Sequence, residues 1–224
     1  MTPIDVSPLA ILGLGFVLGL RHALDPDHVV AVAAITVRTR RMRPAALLGA
    51  AWGAGHTVTV WGVGAVIIVF NVVVPPRVGL ALEFAVAVAL MLVGFANLRP
   101  SPSGRSGLEG GEGRPPARRA FLVGLVHGLA GSAAVALLVL ATVRDAAWAC
   151  AYLGVFALGT MTGMALVTTS LSLPLSALTA RFPASSRAVR LATGALSLAF
   201  GAWLAWQIGW HDGLFAAVPR WTAG

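Results

Sequence analysis

Lysine is missing altogether from this chain, and cysteine and tyrosine occur once each. A lone Cys150 excludes an internal disulfide and any Cys-x-x-Cys redox or zinc motif. It also excludes a membrane electron relay of thiol–disulfide type, one of the architectures that uses three plus three spans. Charge is scarce at 11% of residues, where a soluble domain carries about 25%. With 58% hydrophobic residues and a mean hydropathy of +0.85, the chain is expected to sit in a lipid bilayer as an integral membrane protein. The net charge of +8 would suit a nucleic-acid partner, but the arginines lie in short links between apolar runs and form no basic face, so none is expected. No phosphate-binding loop is present, which excludes nucleotide hydrolysis at motif level, and there is no His-Glu-x-x-His. The N-terminus has no basic region before its first apolar run, which argues against a cleaved leader.

What remains is apolar sequence in six runs long enough to span: Leu9–Val37, Ala45–Phe70, Val78–Leu98, Ala120–Val143, Ala147–Leu173 and Ala188–Trp210. A span needs about 20 residues, more if tilted or broken, and the first run is long enough to be broken. Residues 99–119, rich in Arg, Gly, Pro and Ser, read as a flexible loop between a first three-span half, 1–98, and a second, 120–224. Arginines crowd the first link (Arg38, Arg40, Arg41, Arg43), that loop, and the fifth link (Arg181, Arg187, Arg190). The positive-inside rule then places these links in the cytoplasm and both termini outside.

The halves also resemble each other. Gly19-Leu20-x-His22-x-Leu24 matches Gly124-Leu125-x-His127-x-Leu129, and Ala31 and Leu48-Gly49 match Ala136 and Leu153-Gly154 at the same offset. Three spans per half is odd, so the copies enter the membrane in opposite senses. The expected fold is therefore all-α, six transmembrane helices as a 3+3 inverted repeat, a transporter architecture with its site near the midplane on discontinuous helices.

Against this background the stretch Arg21-His22-Ala23-Leu24-Asp25-Pro26-Asp27-His28 stands out. A charged residue at mid-membrane costs at least about 2.5–3.5 kcal/mol. A polar turn between two helices is the plain alternative, but Pro26–Val37 would be only about 18 Å of helix, half a bilayer. Pro26 removes the hydrogen-bond partner of the His22 carbonyl and pushes Asp25 out of helical geometry, so a break near Asp25–Pro26 is expected, with Asp25 as N-cap or ligand. On an unbroken helix His22 and Asp27 would lie roughly 140° apart; a break lets His22, Asp27 and His28 converge. Imidazoles with one or two carboxylates suit a divalent transition metal such as nickel, cobalt or zinc.

Two further histidines lie in apolar runs. His56, in Trp52-Gly-Ala-Gly-His56-Thr57-Val-Thr59, falls at similar depth and is a ligand or pathway candidate, although a membrane histidine also serves simply to bond a neighbouring helix. His127 lies in Gly124-Leu-Val-His127-Gly-Leu-Ala-Gly, where small residues allow close helix approach. Met161 and Met164 read as core filling. Glu83 either faces the interface or pairs with an arginine, and His211 falls at a membrane edge.

The segment His22-Ala-Leu-Asp-Pro-Asp27-His28 resembles the His-x4-Asp-His motif of the nickel/cobalt transporter (NiCoT) family, and Gly55-His56-Thr57-Val58-Thr59-Val60 resembles that family's Gly-His-Ser/Thr segment. The likeness covers roughly the first 60 residues. The chain departs from it in having room for six spans where those permeases usually have eight, and in lacking their later Asp-Thr-rich motif. His127-Gly-Leu-Ala-Gly-Ser-Ala-Ala is similar to the shorter urease-accessory-type members of the same superfamily. The resemblance implies secondary transport of Ni²⁺ or Co²⁺ across the inner membrane, the ion being cargo and no cofactor permanently bound. It leaves open a homodimer and delivery to a nickel enzyme system. The expected metal residues are His22, Asp25, Asp27, His28, His56 and His127. A membrane metalloenzyme, or a metal-handling protein without transport of its own, is the alternative. No nucleophile or general acid stands apart from the ligand set, so enzymatic activity is not expected.

Overall fold

The computed structural model describes residues 8–36, 42–99, 117–118, 120–129, 145–182 and 185–221. Among them every regular element is helical. α1 runs Pro8–His22, α2 Pro26–Thr36, α3 Met42–Phe70 and α4 Pro76–Leu98. α5 is Ala120–Leu129. α6 runs Ala146–Arg181 and α7 Ser185–Trp206, with a π-turn continuing it over Gln207–His211. Four of these helices are long and apolar enough to cross a membrane, and α1 with α2 forms a fifth, bent by 55°. The chain is a multi-pass membrane protein. The fourth expected span, Ala120–Val143, is described only as far as Leu129, and most of the 99–119 loop, Arg38, Arg40, Arg41 and Ala136 lie outside the described residues.

The break between α1 and α2 follows the chemistry of Pro26. With no amide at residue 26 to reach the His22 carbonyl, that carbonyl accepts instead from the Asp25 amide at 3.0 Å, and Arg21 O accepts from Leu24 N at 2.8 Å. These tighter i→i+3 closures end α1. The Val29 amide then returns to Asp25 O at 3.0 Å, which starts α2 with Pro26 in its first turn. α6 extends beyond the expected Leu173, through Pro174 to Arg181.

α3 and α6 form the central antiparallel pair. The Thr57 hydroxyl donates to Ala157 O at 2.9 Å, while Gly53, four residues earlier, lies against Met161, four residues later. α1 runs along α6 and α5 along α3, each seam closed by glycine. Gly159 meets the Phe16 carbonyl and Gly19 the Phe156 carbonyl; Gly55 meets the Phe121 carbonyl and Gly124 the Trp52 carbonyl. A methyl group at any of these positions would overlap the facing carbonyl, so the approach requires hydrogen there. Thr59 reinforces the second seam by donating to Leu125 O at 3.0 Å.

α4 packs along α7, with α2 lodged between α6 and this pair. Asn97 Nδ2 donates to Ala34 O at 2.6 Å, and Arg190 Nη1 donates to Asn97 O. Among the described residues Glu83 pairs with a tryptophan instead of an arginine: its carboxylate accepts from Trp221 Nε1 at 2.9 Å, as the C-terminal segment folds back over α4. His211 lies at the end of the π-turn with its side chain 74% exposed, beside Asp212.

Candidate metal centre

The half-helix break, α3 and α5 meet at one point, and four imidazoles gather there. The rings of His22 and His56 lie 4.7 and 5.1 Å from that of His28, and the ring of His127 lies 4.4 Å from it. His28, His56 and His127 are 2%, 1% and 4% exposed, so the group sits inside the protein. His22 reaches it from the last residue of α1, His28 from the first turn of α2, His56 from mid-α3 and His127 from α5. All four histidines expected in the apolar runs are brought together, which the break at residues 23–25 makes possible.

The two aspartates hold the rings. Asp25 Oδ2 lies 2.7 Å from His22 Nδ1, so this residue, expected as cap or ligand, directs its carboxylate to the neighbouring imidazole while its carbonyl starts α2. Asp27 spans two rings, with Oδ1 3.0 Å from His28 Nδ1 and Oδ2 2.9 Å from His127 Nε2. A carboxylate on one ring nitrogen fixes ring orientation and, by favouring the proton there, leaves the other nitrogen as a lone-pair donor. Those other nitrogens, His22 Nε2 and His28 Nε2, are buried and have no hydrogen-bond partner among the described residues; the same is true of both nitrogens of His56.

Burial without a partner is costly for an imidazole nitrogen and rare in folded proteins. Here the orphaned atoms belong to residues whose donors cluster: one nitrogen each from His22, His28 and His56 lies within 4.8 Å of the other two, and Asp27, His28 and His127 satisfy the same limit. Three imidazoles, or two with a carboxylate, are donor sets that suit divalent nickel, cobalt or zinc.

Trp52 is the residue sequence reasoning passed over. Its ring stacks on His28 at 6.1 Å and 18°, and meets His127 edge-on at 5.6 Å, walling the cluster. The signal was present: Trp52 lies four residues before His56 and so on the same helix face. The Phe156 ring lies 5.5 Å from that of His22. Met164 is fully buried in the core, as its type suggests.

Helices that cross the membrane several times around a buried histidine–aspartate cluster define a polytopic membrane protein with a donor set fit for a metal. The chain is 34% identical over 228 residues to the urease accessory protein UreH of Bacillus sp. (strain TB-90), covering 94% of this chain and 97% of that protein. It belongs to the UreH family. No family model matches the chain, and no solved structure does.

Proposed function

We propose that this protein is a secondary transporter of a divalent transition-metal ion, Ni²⁺ or Co²⁺, within the nickel/cobalt transporter superfamily, and that it works in the cytoplasmic membrane with both termini outside. The observation that carries the reading is the set of buried, unpartnered nitrogens of His22, His28 and His56, two of the rings braced by carboxylates. A relative named for a urease accessory role fits nickel as the ion and a urease system as its destination. The reading is of a carrier and not an enzyme: the ion is cargo, and no cofactor is permanently bound.

The fold reading that goes with it is six spans in two inverted halves. Its support is the pattern of helix contacts. Phe16 against Gly159 and Phe121 against Gly55 become the same contact when Phe16 is shifted by 105 residues to Phe121, and Gly55 by 104 to Gly159. Gly19–Phe156 and Gly124–Trp52 are related by the same two shifts. Because the central pair α3 and α6 is antiparallel, a twofold that exchanges them is perpendicular to the helices, hence in the membrane plane. The membrane potential, worth about 2.3 kcal/mol per charge per 100 mV, is a sufficient drive for a dication.

The test is cellular metal content. Cells expressing the wild type should differ in nickel or cobalt content from cells expressing His22→Ala at equal membrane abundance. Equal content, with both proteins in the membrane, rejects transport.

A further inference from the structure

Five side-chain donors fall into two overlapping groups of three. His28 belongs to both groups, and His22 of the first and His127 of the second occupy matching positions in the two halves of the sequence. Resting on the transport reading, we propose that the cluster is two overlapping ion positions occupied in turn, His22–His28–His56 and then Asp27–His28–His127, with His28 handing the ion from one to the other.

The hydrogen bonds already made order the two positions. The first position has nitrogens with no hydrogen bond to give up. In the second, Asp27 already bonds both His28 and His127, so an ion arriving there must replace those bonds. The first is therefore where an ion rests, and the second is where it passes. Because His28 belongs to both groups, an ion in one position takes the donor that the other needs, so a single ion occupies the pair at a time. The His28 imidazole has Nδ1 on Asp27, an unpartnered Nε2 and a place in both groups, so a small ring movement can serve either.

The experiment uses the full chain in lipid nanodiscs and proteoliposomes, with Co²⁺ as probe. His127→Gln keeps a side chain able to donate to Asp27 but removes the imidazole. It should bind one Co²⁺ per chain with Kd within about threefold of wild type, while Co²⁺ flux falls at least about tenfold, in the range seen when metal-site residues are altered. His56→Gln should weaken binding and flux together. Wild-type flux in His127→Gln overturns the hand-off, and so does a loss of binding equal to that of His56→Gln, which would mean one undivided site. Two Co²⁺ bound per wild-type chain also overturns it. Wild-type vesicles with no Co²⁺ flux mark the different failure, that of the transport reading itself.

Discussion

The helices around the histidines and the α4–α7 pair are written in the same apolar alphabet but are packed to different ends. The most apolar windows of α3 and α6 are 44% buried; that of α4 is 33%, and that of α7 with its π-turn 17%. In the first group, glycine seams bring backbones together and threonines tie one helix to another. The α4–α7 pair has its own small-residue seam, Gly94 against Gly194 and Gly201 against Ala87, but it joins the two helices to each other. Leu92, Phe95, Leu196 and Trp203 remain exposed on its outer surface, where lipid would meet them. Lipid tails are as apolar as leucine, so apolar burial gives membrane helices little reason to associate; small residues and polar bonds decide which faces meet protein. The site lies where those faces are densest.

The strongest way to break this contrast is to fill a glycine on the site side. Gly55→Val places side-chain atoms on the Phe121 carbonyl, and backbone cannot rotate aside. It should abolish recovery of monodisperse protein by size-exclusion chromatography, beyond the roughly 1–3 kcal/mol of ordinary overpacking. Next in size, His28→Ala should reduce metal flux by more than about 100-fold with normal membrane insertion, since both donor groups lose a member. Asp25→Ala should lower metal affinity by about 10–100-fold, as expected for a residue that orients a ligand. Asp25→Asn should do less, because an amide oxygen still accepts from His22 Nδ1; titration calorimetry of the two variants checks both.

The α4–α7 side should respond more mildly. Asn97→Ala leaves the Ala34 carbonyl without its side-chain donor and should cost about 1–3 kcal/mol, read as a lower Tm in detergent, with the metal Kd unchanged. Leu92→Ala, on the exposed face, should stay within about 0.5 kcal/mol of wild type. A larger loss at Leu92 than at Asn97 would mean that this face meets protein.

The sequence carried much of this, because some of the controlling physics is local. Proline chemistry alone located the end of α1 and the start of α2, and the cost of charge in hydrocarbon marked His22–His28 as a candidate site, where the structure gathers four imidazoles. The depth of His56 in its run placed it level with the break. Hidden were the pairings: that Asp25 braces His22 depends on the turn the break adopts, and that Asp27 reaches His127 and Trp52 walls the group depends on which helix faces which. A soluble helix reveals its inner face by an apolar stripe. Here both faces are apolar, so the lodging of α2 against α6 and the α4–α7 pair left no periodic trace, and the partner of Glu83 lay 138 residues away.

The elbow between α1 and α2 has a mechanical consequence. Its forearm, α2, is wedged between α6 and the α4–α7 pair, so sideways travel of that pair reaches α2 directly. With the pivot at Asp25, His28 lies about 4.5 Å along the forearm and Thr36 about 16 Å, so the lever divides displacement by nearly four. A swing of about 4 Å at the far end becomes about 1 Å at the His28 ring, several times the roughly 0.2 Å latitude of a metal–ligand bond. By its dimensions the elbow is a reduction gear: a coarse slide of the outer helices would reach the His28 ring as a stroke about a quarter as long.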